Sequence, residues 1–229
     1  MVAQQLATGL HARTRIKFCG LTRPQDIEQA VSLGVDAIGF VFYPASARAL
    51  SFSRAAELAR YVPPFVSLVG LFVNPDAAML RQAIEAVPLS IVQFHGDETP
   101  AQCLTLAASV RLPWLRALHV NASGLAESAA LLETAHHYAA ADGLLLDTFS
   151  DGYGGSGQSF DWSCIPTALA SRIILSGGLN AENIRDAIMR VRPYAVDVST
   201  GIEVLEIKGV KDHSKMAAFM RAVKAADSC

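Results

Sequence analysis

Residues 173–178 read Ile-Ile-Leu-Ser-Gly-Gly, and residues 195–201 read Ala-Val-Asp-Val-Ser-Thr-Gly. Each stretch is a short apolar run that ends in hydroxyl and glycine residues, and residues 181–191 between them have a helical pattern. Strands that are buried on both faces have continuous apolar runs rather than an alternation of apolar and polar residues. The region therefore predicts two parallel strands joined by a helix.

The same alternation of strand and helix extends along most of the 229 residues. Strands are predicted at residues 15–19, 37–42, 67–73, 90–94, 115–120, 143–147, 173–175 and 195–198. Helices are predicted at residues 24–33, 53–60, 76–86, 99–108, 124–138, 161–170, 181–191 and 212–226. A doubly wound sheet has fewer strands in two halves, so this count favours a single α/β domain, a closed (β/α)8 TIM barrel, over residues 15–229. Residues 1–14 are expected to form a short, flexible N-terminal extension.

The composition narrows the choice of partners. The formal net charge is −2, and we expect no nucleic acid partner because that requires a basic surface. No apolar run approaches the roughly 20 residues that span a bilayer, and the first 15 residues contain no apolar segment of signal-peptide length, so we expect no membrane partner. The cysteines are widely spaced, which favours neither a disulfide framework nor a metal site; they are Cys19, Cys103, Cys164 and Cys229. A reducing, cytoplasmic location is expected.

The loops after the last two predicted strands suit a phosphate group. The residues Ser176, Gly177 and Gly178 follow strand 7, while Ser199 and Thr200, before a further glycine, follow strand 8. Barrels of this type carry the active site at the carboxyl ends of the strands, and they commonly bind phosphate at these two loops near a short extra helix. Ordinary turns would also use glycine, but both loops together favour an anion site. Residues 201–208 are expected to form the extra helix.

Two further strand ends carry an acid–base pair. Cys19 ends strand 1 and Asp147 ends strand 6, so the side chains are predicted to face each other across the barrel mouth. A thiol serves as a base if its pKa is lowered, and a carboxyl group serves as an acid. The structural alternatives are a buried core cysteine and an aspartate that caps a helix or forms a salt bridge. Arg48 could bind a carboxylate, although a solvated loop arginine is the simpler interpretation.

Other strand ends carry polar residues that are harder to interpret. His95 and His119 end strands 4 and 5, and each suits a structural role as well as a catalytic one. Asp197 ends strand 8 beside the predicted phosphate loop. The long glycine-rich loop of residues 148–160, which includes Gly155, resembles a mobile lid over a substrate. Since the chain lacks both a dinucleotide fingerprint and a P-loop, we expect no cofactor.

Seven segments, taken in order, resemble the phosphoribosylanthranilate isomerase family from about residue 15 to the last helix. They are Lys-Phe-Cys-Gly-Leu (17–21), Phe-Val-Phe-Tyr-Pro with Ser-Ala-Arg (40–48), Val-Gln-Phe-His-Gly (92–96), Leu-Leu-Asp-Thr (145–148), Tyr-Gly-Gly-Ser-Gly with Phe-Asp-Trp (153–162), Leu-Ser-Gly-Gly-Leu (175–179) and Asp-Val-Ser-Thr-Gly-Ile-Glu (197–203). The combination is specific, whereas any one segment alone is not.

The resemblance implies an Amadori rearrangement in tryptophan biosynthesis, from N-(5′-phosphoribosyl)anthranilate to 1-(2-carboxyphenylamino)-1-deoxyribulose 5-phosphate. It implies that Cys19 is the general base, that Asp147 is the general acid and that Arg48 binds the anthranilate carboxylate. The phosphorylated small-molecule substrate would be held through the loops after strands 7 and 8, without a cofactor or a metal, in a monomer or homodimer. The substrate-binding residues expected beside Arg48 are His95, Asp197, Gly155, Gly177, Gly178, Ser199 and Thr200.

The chain departs from the family pattern after Glu203, where the segment lacks a proline and is about two residues longer. Three other interpretations remain at this point. A barrel isomerase of histidine biosynthesis would carry aspartates at the ends of strands 1 and 5, but strand 1 ends in Cys19. A sugar-phosphate epimerase would carry metal ligands at several strand ends. A phosphate-binding protein without catalytic activity is the third alternative.

Overall fold

Eight parallel strands close into a barrel in sequence order in the computed structural model, which describes residues 13–120, 127–148 and 159–228. Pairing of the first strand with the eighth closes the barrel. This confirms the predicted architecture, and no strand boundary differs from its predicted position by more than one residue. The strands are β1 Arg15–Cys19, β2 Ala37–Val41, β3 Ser67–Phe72, β4 Ile91–Phe94, β5 Trp114–Val120, β6 Gly143–Thr148, β7 Ile173–Leu175 and β8 Ala195–Val198.

Helices follow the strands and cover the outside of the barrel. The first helix has the predicted bounds and ends at Gly34, whose φ of 84° suits a glycine. No helix in the three described ranges is long and apolar enough to cross a membrane. The helices are α1 Pro24–Leu33, α2 Phe52–Ala59, α3 Ala77–Ala86, α4 Pro100–Val110, α5 Glu127–His137, α6 Thr167–Ala170, α7 Ile184–Val191 and α8 His213–Asp227.

The helix predicted over residues 161–170 is wrong as a single element. A 3-10 turn at Trp162–Cys164 is separated from the short helix α6 by Ile165 and Pro166. Proline lacks a backbone N–H and disfavours helical geometry in the residue before it, and Ile165 is extended. Helix α7 also begins later than predicted, at Ile184, after a turn in which the Asn180 side chain accepts hydrogen bonds from the N–H groups of Glu182 and Asn183.

The extra helix predicted over residues 201–208 is also wrong. A single 3-10 turn, Thr200–Ile202, follows β8, and the chain then folds back so that Glu203 pairs with Lys211 in an antiparallel bridge. The Glu203 carboxylate accepts a hydrogen bond from the Gly209 N–H at 2.9 Å. Gly209 has a φ of 82°, outside the helical region, so the longer segment forms a compact turn.

The direction of alternate side chains separates two regions of the core. Phe18, Phe40 and Phe94 are fully buried on the outer face of the barrel, where they pack beneath the helices. The interior is filled at its lower end by apolar side chains that include Leu145 and Ala117. Since Phe18 points outward, its neighbours on β1 point inward, and this places Cys19 in the upper interior.

Helix α4 begins with a complete capping box. The Thr99 side chain accepts a hydrogen bond from the Gln102 N–H, and the Gln102 side chain accepts one from the Thr99 N–H. These two bonds satisfy backbone donors that the first turn of a helix leaves without partners. Thr105 lies on an exposed face of the same helix and bonds only to the Ala101 carbonyl within the helix.

Replacing Thr99 with alanine is expected to lower the free energy of unfolding by about 1 kcal/mol, because the cap bond is lost. Urea unfolding followed by circular dichroism measures the change. The Thr105→Ala variant is the control, since alanine is the better helix former at an interior position and no cap bond is lost. Equal stability of the two variants would show that the capping box contributes nothing.

Candidate active site

A pocket opens at the carboxyl ends of the strands, with a volume of about 720 Å³ that includes the part open to solvent. Predicted site residues from six different strand ends converge on the pocket, although Gly155 lies outside the described residues. Those that line it are Cys19, Arg48, His95, Asp147, Gly177, Gly178, Asp197, Ser199 and Thr200.

One wall of the pocket contains a buried ion pair beside the thiol. The register pairs Lys17 of β1 with Asp197 of β8, and the Lys17 ammonium group donates to the Asp197 carboxylate at 2.9 Å. Lys17 and Cys19 lie two residues apart and so share the inward face of β1. A Cβ at Gly39 would lie 2.8 Å from the Cys19 sulfur and 3.2 Å from Lys17 Cε. Gly39 therefore makes room for both side chains.

Two opposing influences set the acidity of the Cys19 thiol. Burial raises its pKa and is the larger influence, while the positive charge of Lys17 lowers it. The result is a pKa above the usual thiol value, opposite to the lowered pKa that would give a thiolate at neutral pH. Burial is also the largest single influence on Lys17 and lowers its pKa, but Asp197 and Cys19 together outweigh it and raise the pKa of Lys17. The site thus favours an ammonium group beside the thiol.

Asp147, at the end of β6, lines the same pocket two strands away from β8. One carboxylate oxygen of Asp147 accepts from the Thr148 N–H at 2.9 Å, and the other lies 3.4 Å from Nε2 of His95. His119 Nε2 donates to the His95 carbonyl at 3.2 Å, since a carbonyl can only accept, and burial lowers the pKa of His119. His119 thus supports His95, while His95 itself lines the pocket. In the described ranges, no group of three or more His, Cys, Asp or Glu side chains is arranged to hold a metal ion.

Arg48 is a buried residue, so the solvated loop arginine considered from the sequence is wrong. Its Nε and Nη2 atoms donate to the two carboxylate oxygens of Glu203 at 2.7 and 2.8 Å, and Nη2 also donates to the Thr200 hydroxyl at 3.0 Å. Gly20, with a φ of 71°, leaves room for the arginine stem. The Nε and Nη2 edges of the guanidinium group are thus held by the protein, and Nη1 is not engaged by the described residues.

A second cation, Lys211, lies beneath the loop that follows β8. Its fully buried ammonium group donates to Glu203 at 3.0 Å and to the carbonyl and hydroxyl oxygens of Ser199 at 3.1 and 3.3 Å. Glu203 therefore bridges Arg48 and Lys211. Although burial opposes ionisation of Glu203, the two cations outweigh it and hold the pKa of Glu203 below its usual value.

The prediction from sequence missed the roles of Lys17, Glu203 and Lys211. A lysine between Ile16 and Phe18, inside an apolar strand, signals a buried partner, and Asp197 occupies the matching position in β8. That pair could have been found from the strand register. Lys211 could not, because its position depends on the turn that follows Glu203.

The backbone of the loops after β7 and β8 forms a further part of the pocket. Gly177 and Gly178 have φ values of 83° and 62°, in the region that favours glycine. A Cβ at Gly177 would lie 2.6 Å from the Thr148 nitrogen and would collide with the Thr148 hydroxyl. The loop backbone therefore packs closely against the end of β6 and leaves its own surface toward the pocket free of side chains.

The sequence profile of the N-(5'phosphoribosyl)anthranilate (PRA) isomerase family matches residues 16–222. The chain belongs to this family. The N-(5'-phosphoribosyl)anthranilate isomerase of Ralstonia nicotianae is 54% identical over 225 residues, which cover 94% of this chain and 95% of that protein. The family match and the alignment with this relative extend over nearly the whole domain, and the matched range 16–222 contains all the residues that line the pocket.

Solved structures of the family have the same fold. The phosphoribosyl anthranilate isomerase of Thermotoga maritima superimposes with a TM-score of 0.81 at 40% identity and covers 93% of this chain and 99% of its own. A family structure in complex with reduced 1-(o-carboxyphenylamino)-1-deoxyribulose 5-phosphate has a TM-score of 0.74 at 35% identity, with coverage of 93% and 99%. This chain is therefore an isomerase of the tryptophan pathway.

We expect the Lys17→Met and Asp197→Asn variants to shift the pKa of Cys19 in opposite directions. Lys17 lowers the thiol pKa and Asp197 raises it, so the first variant should need a higher pH for thiolate formation and the second a lower pH. The rate of Cys19 alkylation by iodoacetamide, followed by peptide mass spectrometry across a pH series, reports the thiolate fraction. Circular dichroism confirms that both variants are folded. Shifts in the same direction would contradict the arrangement.

Proposed function

We propose that the chain rearranges N-(5′-phosphoribosyl)anthranilate with Cys19 as general base and Asp147 as general acid. The observation that carries this assignment is that a thiol from β1 and a carboxyl group from β6 line one pocket, together with Arg48 and the two glycine loops. Membership of the family and the ligand of the related complex support the choice of substrate.

In the proposed reaction, the Asp147 carboxyl group gives a proton to the furanose ring oxygen, and the C1′–O bond breaks to give a Schiff base. Since burial raises the pKa of Cys19, the thiol must first lose its own proton. The thiolate beside Lys17 then removes the proton from C2′, and the electron pair of the C–H bond forms an enolamine. Return of a proton to C1′ and loss of the proton from the C2′ hydroxyl give the amino ketose. C1′ is reduced and C2′ is oxidised within one molecule, so no external oxidant or cofactor is required.

The proposed binding mode gives the two anionic ends of the substrate neighbouring groups of residues in the pocket, since Arg48 donates to the Thr200 hydroxyl. The phosphate is bound by the backbone of Gly177 and Gly178 and by the hydroxyl groups of Ser199 and Thr200. The anthranilate carboxylate is bound by Arg48, whose guanidinium group Glu203 holds in place while Nη1 stays available. A bidentate contact would require Arg48 to release Glu203, so a contact through Nη1 fits this structure.

The remaining predictions belong to the same proposal. Asp197 and His95 line the pocket and are available for contacts with the ribose hydroxyl groups, and Gly155 is proposed as a contact from the loop after β6. We propose that the enzyme works in the cytoplasm, as a monomer or homodimer. Residues 1–14 are proposed as an extension outside the catalytic domain of residues 15–229.

Replacement of either proposed catalytic residue should abolish most of the turnover. We expect the Cys19→Ser and Asp147→Asn variants each to lose at least about 10²-fold in kcat, the lower range of general acid–base contributions. Turnover is measured by the loss of anthranilate fluorescence with chelator present. Cys103→Ser, which changes a buried thiol in α4, is the matched control and should retain activity. Full activity of both site variants would refute the mechanism.

The Gly177→Ala variant should weaken phosphate binding. An added methyl group would strain a φ of 83° and would displace Thr148 beside the loop. Inhibition by inorganic phosphate should therefore weaken, with a raised inhibition constant. Gly34→Ala is the control, because Gly34 has nearly the same φ of 84° but no atom within 4 Å of an added Cβ. Equal inhibition constants in the two variants would rule out a phosphate site at this loop.

A further inference from the structure

We propose that Gln93 and His95 form a positioning pair for Asp147, in which Gln93 fixes the tautomer of His95 and His95 orients the carboxyl group. This inference rests on the proposed role of Asp147 as general acid. Gln93 does not line the pocket and is completely buried inside the barrel on β4. The pair would therefore act on the reaction through Asp147.

The contact between Gln93 and His95 decides which ring nitrogen carries the proton. Gln93 Nε2 lies 3.0 Å from His95 Nδ1. With the amide nitrogen as donor, Nδ1 is an acceptor, and the proton of the neutral ring is on Nε2. This orientation leaves the buried Gln93 Oε1 without a hydrogen bond to the described residues. The flipped amide would instead leave its NH₂ group without an acceptor at that position. An unpaired carbonyl oxygen is more common in protein interiors than an unpaired N–H group.

Neighbouring groups also restrict the position of the His95 ring. The His119 ring packs edge-on against it, with a centroid distance of 5.1 Å and an interplanar angle of 82°. His119 also donates to the His95 carbonyl, and the His95 N–H donates to the Phe72 carbonyl at 2.8 Å. Both the backbone and the ring of His95 are therefore fixed, so that Nε2 faces Asp147.

The fixed Nε2–H acts on the second oxygen of Asp147. The Thr148 N–H bonds to one oxygen, and His95 Nε2 lies 3.4 Å from the other. A distance of 3.4 Å is long for a hydrogen bond, and catalytic bonds often shorten when substrate binds. The attraction also increases when Asp147 becomes a carboxylate after giving up its proton, because hydrogen bonds to ionised groups are stronger. The other tautomer would direct a lone pair at that negative charge.

Two substitutions of His95 separate a specific donor from simple space filling. The glutamine amide nitrogen reaches the place of Nε2, whereas the asparagine amide nitrogen reaches only the place of Nδ1. We expect His95→Asn to lower kcat by about 10²-fold, with a smaller rise in KM from loss of the proposed substrate contact, while His95→Gln retains activity to within about tenfold. Gln93→Leu should give a loss between these two, because the tautomer is then free to change. Equal losses in the Asn and Gln variants would overturn the inference.

Non-additivity tests whether His95 acts through Asp147. In the Asp147→Asn background there is no acid to orient, so adding His95→Asn should cause no further loss of kcat. Losses that multiply would show that His95 acts independently and would refute the pair. If Asp147→Asn alone retains full activity, the proposed function fails at its general acid, and that result is separate from a failure of the His95 test.

The tautomer can be measured without turnover. The ¹⁵N NMR spectrum of histidine-labelled enzyme, with the His95 signals assigned by their absence in His95→Gln, should show a proton on Nε2 and none on Nδ1. In Gln93→Leu, that preference should weaken. A protonated Nδ1 and an unprotonated Nε2 in the wild-type enzyme would overturn the inference, independently of the activity and substrate of the enzyme.

Discussion

The interior of a closed barrel has little room for water, and every second side chain of each strand must point into it. At the lower end, apolar side chains such as Leu145 meet this constraint by packing. At the upper end, the same geometry forces Lys17 and Asp197 together at 2.9 Å, because their strands are neighbours in register. A lone charge at either position would be costly, whereas the pair is tolerated. The chemistry of the pocket depends on this pairing, since it places a positive charge beside Cys19.

A second group of buried charges holds the loop that follows β8. Glu203 accepts bonds from Arg48 and Lys211, and Lys211 in turn binds Ser199. The loop lacks a helix of useful length, so its shape comes from these side chains rather than from a repeating backbone pattern. Removal of any member would leave a buried charge without its partner, so the three charged residues depend on one another.

The sequence predicted the barrel well because strand positions in this fold follow from simple patterns. Buried parallel strands are continuous apolar runs, and each boundary fell within one residue of its predicted place. The helix predicted across Pro166 is wrong because the apolar periodicity continues through a proline, which disfavours helical geometry in the residue before it. Lys211 and Glu203 could not be placed, since their contacts depend on a turn near Gly209 that has no local signature. The pocket residues could be predicted because this fold places its active site at the carboxyl ends of the strands.

The bond between Arg48 and Thr200 holds two neighbouring parts of the pocket in one frame. On the proposed binding mode, the group that recognises the carboxylate is tied directly to the loop that recognises the phosphate. The separation of the two proposed anion sites is then fixed by the protein, so the pocket selects a ligand by the distance between its two anionic groups. A molecule with the same two charges at a different spacing could satisfy one site at a time. Such a frame would let the enzyme select its substrate among the many phosphorylated sugars of a cell by length as well as by charge.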